Sequence, residues 1–182
     1  MNEKRQALLE TALGLFYSHG VQSIGINEVL KVSGIAKKTL YHHFPSKEAL
    51  VLAALKERNR RFLAWLEPQL AKGETDAEVV ENLFEALDAW IHDDAKELGK
   101  FRGCFFVNTS AEFGDVNSDI AQYCRLHKQQ VRARIGHYLV SKDEAFLDSI
   151  CLLKEGAISS AYVSNDLEAA IKGLRAAKAL IA

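Results

Sequence analysis

Proline is scarce: Pro45 and Pro68 are the only two in 182 residues. Few helix breakers and no convincing alternation of apolar and polar residues leave little room for strands and point to helices throughout. Cysteine is sparse and odd in number. Cys104, Cys124 and Cys151 are widely spaced, which argues against a secreted disulfide scaffold and fits a reducing cytosol. No run of about 18 uncharged apolar residues occurs, so no membrane span is predicted. The opening MNEKRQALLETA lacks the apolar core of a secretory leader. The expectation is a soluble, cytoplasmic chain with no membrane partner. A P-loop, a dinucleotide glycine fingerprint, G-x-S-x-G and H-E-x-x-H are all missing, so neither a catalytic site nor a cofactor is supported.

What is present is an ordinary globular composition, 48% apolar and 26% charged. The net charge of -1 hides an asymmetry. Residues 1–61 hold ten Lys/Arg against five Asp/Glu, and residues 62–182 hold thirteen against nineteen. A basic first third beside an acidic remainder suggests that the N-terminal part meets a polyanion.

Helical periodicity runs the length of the chain. Leu8, Ala12, Leu15, Phe16 and His19 form a first stripe that Gly20 stops as a C′ residue. Ile26, Val29 and Leu30 start a short second helix ending at Gly34. Residues 37–44 form a third, closed by Pro45, since the residue before proline is pushed out of the helical region. Ser46 caps a long fourth helix reaching Pro68. Thr75 with Glu78 makes a capping box for a fifth. A shorter helix follows in GKFRGCFFVNTSAEFGD, then a longer one striped by Ile120, Cys124, Val131, Ile135 and Tyr138. Ser141 with Glu144, and Asn165 with Glu168, read as capping boxes for two last helices. The fold class is all-α, about nine helices: a small basic head and a larger apolar body.

The head concentrates the chemistry in GIAKKTLYHHF, residues 34–44. Two short helices joined through Gly34 make a helix-turn-helix, whose second helix fits the major groove. Leu40 and Phe44 anchor that helix, while Lys38, Thr39, Tyr41 and His42 fall off the apolar stripe and point outward. Lysine and tyrosine suit phosphates, and threonine can meet a thymine methyl or a base edge. His43 neighbours Leu40 on the helical wheel and reads as part-buried.

Residues 5–55 resemble the DNA-binding domain of the TetR family of bacterial transcriptional regulators. The resemblance is carried by Ala12, Leu15, Phe16 and Gly20, by Gly34-Ile35, by the run Thr39-Leu40-Tyr41-His42-His43-Phe44, and by Lys47, Glu48 and Leu50. It implies a homodimer on double-stranded operator DNA. Residues 1–47 would be the head, helix 4 (47–67) a connector, and 48–182 a body for small-molecule sensing and dimerisation. It also implies DNA-facing positions at Lys37, Lys38, Thr39, Tyr41 and His42 and a phosphate contact at Lys47. Two positions depart from the family pattern: Gly25 stands where a serine or threonine commonly opens helix 2, and Ala36 where a serine or proline opens helix 3. Neither offers a hydroxyl to a phosphate, although helix N-terminal amides can still serve.

In the body, Trp65, Phe84, Trp90, Phe105, Phe106, Phe113 and Tyr123 are candidates to line an effector cavity, although aromatic residues at helical spacing are more often core than pocket. The small residues of the last two helices, Gly156, Ala157, Ser159, Ser160 and Ala161, allow close helix approach. By the resemblance, those two helices form the homodimer interface. Cys104, between Lys100/Arg102 and a helix start, has the surroundings of a reactive thiol. The pattern Gly103-Cys104, Asn108, Glu112 resembles a subgroup of these regulators that includes a cysteine-based electrophile sensor. Cys124 and His127 lie at i and i+3 without a second ligand pair, so no metal is predicted. The function expected is a repressor released from its operator by a small molecule or electrophile. The rival is an α-helical small-molecule-binding or thiol redox protein without specific DNA binding.

Overall fold

The computed structural model describes residues 3–141 and 143–181. Among them are nine helices and no strand: α1 (Glu3–His19), α2 (Ile26–Ser33), α3 (Lys37–His43), α4 (Lys47–Leu70), α5 (Asp76–Ile91), α6 (Phe105–Glu112), α7 (Asp119–Tyr138), α8 (Glu144–Val163) and α9 (Ala169–Lys178). None is long and apolar enough to cross a membrane. The chain forms two compact units. One runs up to Asn59 and includes Phe105–His127; the other comprises Arg60–Cys104 and the chain from Lys128 onward.

In the first unit, α1 buries Leu8, Leu9, Ala12, Leu13 and Phe16. The predicted stripe is therefore corrected at its end. Leu15 is only half-buried and His19 is exposed, because Leu9 and Leu13 pull the buried face round. The Gly20 N–H donates to the Phe16 carbonyl at 3.0 Å, ending the helix. Gly34, at φ 67°, is the left-handed C-cap of α2, where a side chain would be strained. After it, Ala36 opens α3 without any side-chain cap. Phe44 leaves the helix at φ −135°, as its place before Pro45 requires. The Ser46 hydroxyl accepts the Ala49 N–H at 3.1 Å and starts α4.

The second unit packs α8 against α9, and α5 against both. Thr75 and Glu78 complete the capping box of α5. Gly173 on α9 lets the Phe84 ring lie against the backbone, where a Cβ would stand 2.5 Å from Cε1. A salt bridge of 2.7 Å joins Lys178 on α9 to Glu81 on α5.

Three boundaries differ from expectation. Helix α4 continues past Pro68 to Leu70; proline removes one hydrogen bond, and the final turn carries on with Ala71 N–H donating to the Glu67 carbonyl. Helix α8 is capped not by Ser141 but by Asp143, whose carboxylate accepts the N–H groups of Ala145 and Phe146. Ser141 is instead tied to α5, its N–H donating to Asp76, and Glu144 is engaged by Arg132. Helix α9 has no side-chain cap. Asn165 sits at φ 51°, outside the extended region a capping residue needs.

Candidate nucleic-acid interface and sensing site

Helix α3 is held by its anchors. Leu40 is fully buried and Phe44 nearly so, with the Arg5 guanidinium 5.0 Å from the Phe44 ring centre. The rest of the helix is turned outward. Lys37, Lys38, Tyr41 and His42 are exposed, and Thr39, His43 and Lys47 are half-buried. Lys37 Nζ lies 5.9 Å from the Tyr41 ring centre, a weak contact that leaves the ammonium on the surface. Seven residues thus present two lysines, a threonine, a tyrosine and a histidine around one buried leucine. Such a surface offers donors to phosphates and base edges and no apolar patch to a protein.

The loop entering this helix-turn-helix is secured from α6. Glu112, the last residue of α6, accepts the Val21 N–H at 3.0 Å on one carboxylate oxygen and the Gln22 N–H at 2.6 Å on the other. Sequence reasoning placed Glu112 in a pattern but gave it no task. Its partners lie about ninety residues away, where periodicity is silent. The same unit buries a polar group of Arg58, Asn59 and His127. His127 Nδ1 is 2.7 Å from Asn59 Oδ1, and its ring stacks on Phe106 at 3.5 Å. Arg58 covers the Tyr17 ring at 4.3 Å.

The seven candidate cavity residues fall in both units. Phe105, Phe106, Phe113 and Tyr123 belong to the first; Phe105 packs edge-on to Tyr17, and Tyr123 accepts a long 3.4 Å hydrogen bond from Asn59. Trp65, Phe84 and Trp90 belong to the second. There Trp65 and Trp90 join Phe62, Phe101 and Tyr162 in a continuous aromatic cluster. Trp65 also lines a polar cavity of about 340 Å³ with Gln69, Asn82 and Glu85.

Cys104 directly precedes α6 and is 9% exposed. The cation on its sulfur is Lys128 of α7, whose Nζ is 3.3 Å from Sγ. Lys128 also donates to Glu155 Oε2 at 2.6 Å, and Lys154 to Glu155 Oε1. Lys154 itself is 3% exposed. Burial pulls the Lys128 ammonium down, but Cys104 and Glu155 outweigh it and leave it above its ordinary value. Burial likewise pushes the Glu155 carboxyl up, and Lys154 and Lys128 more than offset this. Cys151 is pushed up by burial, against the opposing pull of Lys154 and Arg132. The sequence signal for this cluster was a lysine inside the apolar stripe Leu147, Ile150, Ala157, Ile158 and Ala161.

Comparison with known proteins agrees with this geometry. Residues 8–54 match the model of the bacterial regulatory proteins of the tetR family. The chain is 29% identical to the HTH-type transcriptional repressor NemR of Escherichia coli over 122 residues, covering 65% of this chain and 58% of NemR. It thus spans little more than half the length of that curated relative. A TetR-family transcriptional regulator from Streptomyces coelicolor superimposes with a TM-score of 0.87 at 24% identity, over 98% of this chain and 94% of that one. A candidate TetR transcriptional regulator from Streptomyces avermitilis does so with a TM-score of 0.79 at 25% identity, over 97% and 99%. Residues 8–54 thus form the DNA-binding domain of the tetR family of bacterial regulatory proteins, and along the rest of its length the chain is similar in fold to TetR-family regulators.

Proposed function

We propose that the protein is a cytoplasmic, ligand-responsive transcriptional repressor that binds a palindromic operator as a homodimer and performs no catalysis. The observation that carries this is α3, with Leu40 buried beneath it and Lys37, Lys38, Tyr41 and His42 presented to solvent. Thr39 reads a thymine methyl or a base edge, while Tyr41 and Lys47 take phosphates. Residues 1–47 act as the head and 48–182 as the sensing and dimerisation body. Exposed Val163 on α8, Leu167 just before α9 and Ile171 on α9 supply the apolar surface for a second copy. Ala157 and Ala161, by contrast, are buried within the subunit. An isologous contact of this kind presents two heads to two half-sites.

Release follows from a change at the start of α6. Cys104 is buried and its sulfur touches Lys128, so an electrophile adduct must push Lys128 aside. One residue on, α6 begins, and Glu112 at its end grips the α1–α2 turn. Cys104 is the thiol sensor in this reading, and an ordinary ligand of the aromatic residues acts through the same helix. A gel shift on operators selected from random sequence tests the whole. Specific binding should appear and weaken steeply with added salt, as released counterions require. No specific binding even at low salt would leave the rival class, a helical small-molecule or thiol protein.

A further inference from the structure

A groove of about 530 Å³ opens between α7 and α8, walled by Lys128 and Arg132 on one side and Cys151, Leu152, Lys154 and Glu155 on the other. Its volume lies in the range of small-molecule sites. Its charges do not balance evenly. Arg132 is satisfied at the rim, donating to Asp148 at 2.8 and 2.9 Å and also to Glu144. Deeper in, two ammonium groups, Lys128 and Lys154, share the single carboxylate of Glu155.

An ammonium has three donors. Lys154 spends one on Glu155 while 97% of its surface is withdrawn from water. A buried charge with idle donors costs free energy until a partner of opposite sign arrives. Leu152, at the groove wall, is 73% exposed and offers apolar surface. The groove is therefore mostly apolar, with Lys128 and Lys154 supplying a positive pole in its wall.

We propose that this α7–α8 groove binds a small organic anion, a carboxylate with a hydrocarbon portion, whose acid group bridges Lys154 and Lys128 and whose chain lies along Leu152. The site needs no thiol chemistry and is separate from the aromatic cluster. Its bearing on transcription rests on the effector-gated reading above, whereas binding itself does not. Glu155 is the internal competitor: it holds both lysines in place and yields part of their donors to the ligand.

The probe is octanoate, set against octanol and octylammonium at matched millimolar concentrations, with the melting temperature and calorimetric affinity of the intact protein as readouts. Octanoate has no electrophilic carbon that a thiol would attack, so its effect is not that of the Cys104 sensor. Octanoate should raise the melting temperature saturably and the other two should not. Lys154→Met leaves Lys128 and Glu155 as a matched pair, so the variant should fold while binding octanoate about tenfold more weakly, the loss of one charge-assisted contact. Glu155→Gln should bind it more tightly, since the competing carboxylate is gone; a purely structural cluster predicts no such gain. Equal effects of octanoate and octanol, or unchanged affinity in Lys154→Met, would overturn the site. Binding without any effect on operator affinity would keep the site and count instead against the effector-gated reading.

Discussion

Lys154 stands beside Glu155 in the chain, and the two share a bond that burial makes consequential. Removing Glu155's charge strands a buried ammonium, so Glu155→Gln should cost about 3 kcal/mol in urea unfolding. The pH dependence has a definite sign. Glu155 is held below its ordinary value of 4.5, so its contribution is complete above that pH and fades as pH falls through the lower folded value. Lys128 is held above 10.5, so its share is complete below that pH and fades as pH rises further. Stability measured across acid and alkaline ranges should lose these contributions at both ends, and Glu155→Gln should shrink the acid limb, leaving the shares of Glu48, Glu78 and Asp166. On α3 the roles divide. Thr39→Ala should relax preference among operator variants. Lys47→Ala should weaken all of them alike and flatten the salt slope by about one unit. Competition gel shifts at several salt concentrations separate the two. Much at this scale was legible: the four-residue spacing of Leu40 and Phe44 fixes which side chains of α3 face out. The tie between Lys128 and Cys104 was not, because no local spacing relates residues 24 positions apart.

Elements start and stop for reasons that were readable when the signal was unambiguous. Gly34, Pro45, Ser46 and the Thr75–Glu78 box all act in the structure as the sequence suggests. The caps of α8 and α9 were misread because Ser141 and Asn165 match a capping pattern whose partners are taken elsewhere. Asp76 claims the Ser141 N–H, and Asn165 lies in the left-handed region. Asp143→Ala should therefore destabilise the protein by about 1 kcal/mol in thermal or urea unfolding, whereas Ser141→Ala should not. Gly173→Ala, which drives a methyl to 2.5 Å from Phe84 Cε1, should cost about 1–3 kcal/mol by overpacking. Helix α6 has a different duty. Glu112→Ala frees two backbone N–H groups of the α1–α2 turn and should lower operator affinity with little change in global stability. If affinity were unchanged, Glu112 would be a surface cap and nothing more.

For the molecule as a whole, the two faces left apolar on α8 and α9 bear on assembly. Val163→Asp combined with Ile171→Asp should convert a dimer to a folded monomer in analytical ultracentrifugation and abolish high-affinity operator binding. Retained dimers would place the interface elsewhere. The charge split between head and body was visible from composition. The membership of α6 and the start of α7 in the first unit was not, since it depends on contacts between segments far apart in sequence. One last consequence follows from where the tryptophans lie. The protein has two, Trp65 and Trp90, both buried in the second unit with ring centres 6.2 Å apart. Tryptophan emission, excited selectively over that of Tyr17 and Tyr41, therefore originates entirely from that unit and from one coupled pair of chromophores, while the helix-turn-helix contributes none. Tryptophan emission recorded during a DNA titration becomes a label-free test of communication. Any spectral change on operator binding must have travelled from the silent head to the luminous body.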